Sequence, residues 1–208
     1  MRAVFSHRII RAVILAAAVS AFAGQLQTVV LVLFFVRDLH LSPGLVGAAI
    51  AVSGVAGVLG ATMATWFTRR VGPGPAFITG MLLASTAGLV VASAAGPLPL
   101  SFSILLLAQV LRGIGPSIYG INQQTFRQAM IAPALLSRAN ATWRFLAYGG
   151  QSLGALAGGM LGSVLGLRAT LIVSSCVMLA GTSTAVVSPL RSLRELPAQQ
   201  VLDEKSAA

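Results

Sequence analysis

Six stretches of this 208-residue chain, at about 9–36, 43–67, 75–95, 98–123, 139–165 and 168–188, are mostly apolar and contain no acidic residue. About 20 such residues carry an α-helix across the hydrocarbon core of a bilayer. The chain therefore reads as all-α, a polytopic membrane protein with six transmembrane helices. Composition agrees: 9% of residues are charged, against roughly 25% in a soluble domain.

The breaks between the stretches have turn chemistry: "RDLHLSPG", "RRVGPGP", "AAGPLP", "RQAMIAPALLSR" and "LGLR". The bundle occupies 1–194, and the polar segment 195–208 reads as a disordered cytoplasmic tail. The beginning of the chain looks like a leader, with basic residues, an apolar run and Ala21-Phe22-Ala23. The apolar character resumes after Gln25 and Gln27 and continues to Val36, so the expectation is a complete span.

Basic residues orient the spans. With the amino terminus inside, Arg2, Arg8, Arg11, Arg69, Arg70, Arg127, Arg138, Arg144, Arg191, Arg194 and Lys205 lie inside, and only Arg37 and Arg168 outside. The expectation is a multi-pass protein of the cell (inner) membrane with both termini cytoplasmic. The same scatter of arginines between apolar blocks argues against nucleic acid as a partner, despite the net charge of +10.

Enzymatic constellations are missing. His7 and His40 lie at opposite ends of the first span, Cys176 is the sole cysteine, and no lysine-bearing phosphate loop occurs. No enzyme activity, cofactor or metal is expected.

Two patterns suggest helices that pack closely. Gly150, Gly154, Gly158, Gly162 and Gly166 recur every four residues, a ridge without side chains along one helix face. Gly47, Gly54, Gly57 and Gly60 do something similar in the second span. The hairpins 43–95 and 139–188 also share a plan, a glycine-lined helix, an Arg/Gly turn and a plain apolar helix. With three spans per unit the second unit is inverted relative to the first, a recurrent transporter plan.

Polar residues at membrane depth mark candidates for a substrate path: Gln25 and Gln27 in the first span, Gln109, Arg112, Tyr119, Asn122 and Gln123 in the fourth, and Gln151 in the fifth. Such groups are costly in hydrocarbon and tend to face a bundle interior or a wet cavity. Interhelical hydrogen bonding, at about 0.6–2 kcal/mol each, is the competing explanation. Arg112 is the sharpest case. It lies about 21 Å from Leu98 at 1.5 Å per residue, and the chain's four acids (Asp38, Glu195, Asp203, Glu204) are all outside the apolar runs. Three partners are open to it: a carboxylate on another chain or segment, an anionic group on the cargo, or carbonyls freed by a break at Gly113, Gly115 and Pro116.

The segment "NQQTFRQAMIAPALLSRANATWRFLAYGGQSLGALAGGMLGSVLGLRATL" (122–171) resembles the carboxyl-terminal half of major facilitator superfamily transporters, nearest the bacterial efflux group that includes enterobactin and macrolide exporters. The resemblance rests on Arg127, Gln128, Pro133, Leu136, Arg138 and Asn140 in the cytoplasmic loop and on Arg144 opening the next helix. "SHRIIRA", "FFVRDLHLSPGLVG" and "SPLRSLRELP" extend it along most of the chain. Ala134 and Ser137 depart from the group, and "ATWFTRRVG" keeps Arg69, Arg70 and Gly72 of a loop signature without its aspartate.

The resemblance implies secondary-active efflux of a small organic compound by alternating access. It places the path between two six-helix halves, with the first and fourth helices along it. The expected partners are the lipid bilayer, a small-molecule substrate, and a missing amino-terminal half or a second copy of this chain. A non-transporting membrane remnant or scaffold is the alternative, and a homodimeric small transporter the third reading. Proton coupling needs a carboxylate or histidine that titrates within the membrane, and the six apolar runs offer none.

Overall fold

The computed structural model describes residues 8–130 and 133–188. All regular structure among the described residues is helical: α1 (Arg8–Leu33), extended by a π-helical turn (Phe34–Asp38), α2 (Pro43–Val71), α3 (Pro73–Ser93), α4 (Leu98–Met130), α5 (Pro133–Val164) and α6 (Leu167–Val187). The tail at 195–208, the part of "SPLRSLRELP" beyond Ser188, and Arg2, Arg191, Arg194 and Lys205 lie outside the described residues.

Proline and glycine set the helix boundaries. Pro43 and Pro73 occupy the first turns of α2 and α3, where a missing N–H is no loss. Gly72 alone links those helices at φ 92°, a conformation strained for any residue with a Cβ. The π turn after α1 inserts an extra residue, and the consecutive rings of Phe34 and Phe35 are both fully buried.

Two parallel seams organise the bundle. α5 lies along α1 in constant register, with Gly150, Gly154 and Gly158 facing the backbone carbonyls of Ala18, Phe22 and Leu26, and Gly162 facing the Val30 side chain. α4 lies along α2 in the same manner. Gln109 bonds the Ala49 carbonyl, Gly113 sits against Ser53 and Ala56, and Ser117 bonds the Gly57 carbonyl. α3 packs antiparallel on α4, α6 antiparallel on α1, and α3 meets α6. Exchanging α1 with α4, α2 with α5 and α3 with α6 maps this set of neighbours onto itself, as two inverted three-helix units require. In lipid, where helices gain nothing by hiding apolar surface, these glycine seams supply close van der Waals contact instead.

The six expected helices are present, and five of them are, among the described residues, both long and apolar enough to cross a membrane. α5 is long enough at 32 residues, but its glycines and Gln151 dilute its apolarity. The structure departs from the sequence expectation in two places. First, helix covers "RQAM" and "PALLSR" of the expected break, because α4 runs on to Met130 and α5 starts at Pro133. Gln, Arg and Ala are good helix formers, so a helix outlasts its apolar run. Second, Gly166 keeps the four-residue spacing but does not join the ridge. It lies beyond the end of α5, at φ 86° in the turn to α6, with no neighbour where its Cβ would be.

Apolar clusters close the bundle at two levels. One gathers Val30, Phe34, Phe35, Val46, Val91 and Leu105 around the α1–α2 turn. The other sets Phe77 and Phe126 edge to face, ring centroids 6.0 Å apart, toward the opposite end. Arg168 tethers the first end: it donates to the Ala94 carbonyl at 2.8 Å and lies over the Phe34 ring at 5.5 Å.

Candidate functional site

Between those clusters α1 and α4 do not pack along their lengths. They flank a cavity of about 230 Å³ lined from α1 by Ser20, Gln25, Gln27 and Thr28, from α4 by Arg112, Pro116 and Tyr119, and by Ala84, Gln151 and Met178 of α3, α5 and α6. The lining runs from the buried Gln27 to the exposed Pro116 and Thr28, which makes it a cleft and not a sealed void.

The chain around Arg112 is held by its small neighbours. Gly113 is pressed on α2, where a Cβ would stand 2.6 Å from that of Ala56. Gly115 is pressed on α3, where a Cβ would stand 2.6 Å from the Ala84 nitrogen. Pro116 lies within the continuous helix and lacks the N–H that would reach the carbonyl of Arg112. The Gly-Pro stretch is thus a pinch between two helices and not a break, and Arg112 does not bond to carbonyls there.

Its partners are neutral side chains of α1. Nη1 donates to Gln27 Oε1 at 2.7 Å, and Nη2 to Thr28 Oγ1 at 3.3 Å. A guanidinium only donates, so the Gln27 amide must present its oxygen. The amide nitrogen then donates to Ser175 Oγ of α6 at 3.3 Å, and Ser175 donates on to the Leu171 carbonyl at 2.8 Å. The direction of the whole relay follows from the one group that cannot accept.

Magnitudes show why this arrangement is tolerable. An arginine at the centre of a membrane helix costs about 2.5–3.5 kcal/mol on insertion scales. Hydrogen bonds from a charged donor contribute about 1.5–3 kcal/mol each, so two of them offset that cost. The positive charge itself is not neutralised, since no ion pair forms with Arg112 among the described residues.

The structure brings Gln25, Gln27, Arg112, Tyr119 and Gln151 of the sequence candidates together around the cleft. It places the other three elsewhere. Gln109 is buried against α2 with its Oε1 unpartnered. Asn122 ties α4 to α2 through Thr68 at 3.0 Å and also bonds the Ile118 carbonyl. Gln123 is buried with its Nε2 unpartnered. Sequence reasoning missed Ser20, Thr28 and Ser175, ordinary residues of apolar helices, and above all Gly88 of α3. A Cβ at Gly88 would collide with the Gln27 amide and the Ser175 hydroxyl, so its absence makes room for the relay.

The loop-motif residues gather at the other end of α4. Arg127 bonds Gln124 and lies over the Trp143 ring at 5.1 Å, with its Nε and Nη1 buried and unpartnered. Pro133 opens α5, Arg138 accepts a bond from Thr142 through its carbonyl, and Gln128, Arg138 and Arg144 are exposed beside the half-buried Asn140. No group of three or more His, Cys, Asp or Glu gathers among the described residues.

Among known protein families, the model described as Major Facilitator Superfamily matches residues 13–206 of the chain. No curated protein and no solved structure matches it.

Proposed function

The chain belongs to the Major Facilitator Superfamily, and from that premise we propose that it exports a small organic compound by alternating access, as one six-helix body of a two-body transporter. Members of this family are membrane-embedded secondary transporters of small substrates and not enzymes. The finer reading, efflux through the equivalent of a carboxyl-terminal half, is supported by the motif residues Arg127, Gln128, Pro133, Arg138, Asn140 and Arg144. All six helices cross the bilayer in this reading, α5 carried alongside α1 by the shared seam. Both termini are cytoplasmic, because Arg69, Arg70, Arg127, Arg138 and Arg144 share one end of the bundle and Arg37 and Arg168 the other.

The single observation that carries the proposal is the polar cleft at mid-depth, where Arg112 meets Gln27 across a gap between helices that do not otherwise pack. α1 with α5 and α6 forms one block, and α4 with α2 and α3 the other. The Arg112–Gln27 bond crosses between the blocks, and a substrate would sit in the cleft beside it. The second body, a further six-helix half or a second copy, closes the open side of the cleft.

The test is accumulation of a compound panel in a host stripped of its own exporters. Expression of the chain lowers accumulation of at least one compound, and Arg112→Ala abolishes the effect at unchanged membrane level. Unaltered transport by Arg112→Ala would remove the cleft from the path, and no effect by the wild type on any compound would overturn the proposal.

A further inference from the structure

A guanidinium has five N–H donors, and at Arg112 two of them are engaged, both by neutral oxygens. No acidic side chain among the described residues reaches it. Everything polar around the cleft is uncharged: the amides of Gln25, Gln27 and Gln151, the phenol of Tyr119 and the hydroxyls of Ser20 and Thr28. A cationic guest would meet a like charge, which disfavours it against an anion.

Ser20 adds an independent sign of an occupant. Serines and threonines of these helices regularly donate to a carbonyl one turn back, as Ser85, Ser175 and Thr182 do. Ser20 is 2% exposed and lines the cleft, yet its Oγ has no partner. A buried hydroxyl left unsatisfied is costly, so a group arriving in the cleft gains by pairing with it.

The rest of the lining includes apolar surface from Ala21, Ala84 and Met178. The volume of about 230 Å³ exceeds the roughly 150 Å³ cavity that holds a benzene. It leaves room for a single ring or short chain with one charged head.

We propose that the cleft binds a small organic monoanion, its carboxylate paired with the N–H groups of Arg112 that Gln27 and Thr28 leave unengaged and its apolar body against Ala84 and Met178. This rests on the transport reading for its biological sense and names the substrate class of the same site. Carboxylate geometry matches the planar fork of the guanidinium, and the guest supplies the charge that the protein leaves unbalanced.

The experiment is equilibrium binding of radiolabelled benzoate to the full chain in phosphatidylcholine nanodiscs, with benzamide and benzylamine as competitors of matched size. Benzoate binds saturably, unlabelled benzoate displaces it, and the neutral and cationic analogues do not at equal concentration. Arg112→Gln lowers affinity by about ten- to a hundredfold, the loss of a charge-assisted pair. The comparison of three analogues on the unmodified protein holds even if that variant folds poorly. Absence of saturable benzoate binding, equal competition by benzamide, or unchanged affinity in a folded Arg112→Gln would overturn the anion site. Binding is read without transport, so anion-selective binding with no export would sink only the transport reading. Export without anion preference would sink only this one.

Discussion

The seam between α1 and α5 allows a controlled test within one helix. Gly158 and Gly159 are adjacent in sequence and opposite in environment. A Cβ on Gly158 would lie 2.7 Å from the Leu26 carbonyl oxygen and 3.1 Å from the Leu26 Cα, whereas Gly159 has nothing within 4 Å. Alanine at either site brings the same helix-propensity gain, about 1 kcal/mol, so the difference between the two variants isolates the collision. Ordinary contact begins at 3.4 Å, and a retreat of α1 by about 0.7 Å (3.4 less 2.7) forfeits about a quarter to a half of each dispersion contact it shares with α5.

Overpacking of this kind costs about 1–3 kcal/mol, and 1 kcal/mol moves Tm by about 2–4 °C for a chain of this size. Gly158→Ala should therefore melt about 2–12 °C below Gly159→Ala when both are followed by scanning fluorimetry in one detergent. Gly159→Ala itself should match or exceed the wild type. Equal melting of the two variants, or the reverse order, would mean that α5 does not meet α1 through Gly158, and the parallel register would fall with it.

Gly88→Ala should destabilise the chain by about 1–3 kcal/mol, because the new methyl takes the space of the Gln27 amide. Adding Gln27→Ala should recover part of that loss, and strictly additive effects in denaturation would show that the two residues do not share the space. Gln109→Met should change stability by less than about 1.5 kcal/mol, since the glutamine leaves its own Oε1 unpartnered and the Ala49 carbonyl it meets belongs to a helix turn. A loss several times larger in the same melting assay would show that Gln109 has a partner the geometry does not account for.

What was legible in the sequence is what depends on short windows. Apolar run length places the helices, and Pro43, Gly72, Pro73 and Gly166 punctuate them. The ends of α4 and α5 lie beyond their apolar runs because hydropathy measures affinity for lipid, while a helix of Gln, Arg and Ala continues into water. Gly166 falls outside the ridge for a related reason: spacing shows a period, and a helix can stop one step before the period does. Around the cleft, the polar members stood out against an apolar background, so five of them were noticed. Their arrangement was not, because Gln27 meets Arg112 and Ser175 at separations of 85 and 148 residues. Gly88 was invisible for the opposite reason, as its contribution is an empty volume that matters only when two other helices fill it.

The interleaving of the two units has a consequence for how the protein is made. α1 packs mainly on α5 and α6, which are synthesised well after it. Synthesis proceeds at about 5–20 residues per second, so the 148 residues separating Gln27 from Ser175 take about 7–30 s to appear. For the first 85 of those residues α1 holds a polar amide in the membrane without either of its final partners, and until the end of the interval it lacks Ser175. A bundle whose neighbours follow one another in the chain could assemble as it emerges. This one must wait for α5 and α6, and until then α1 depends on whatever shelters it.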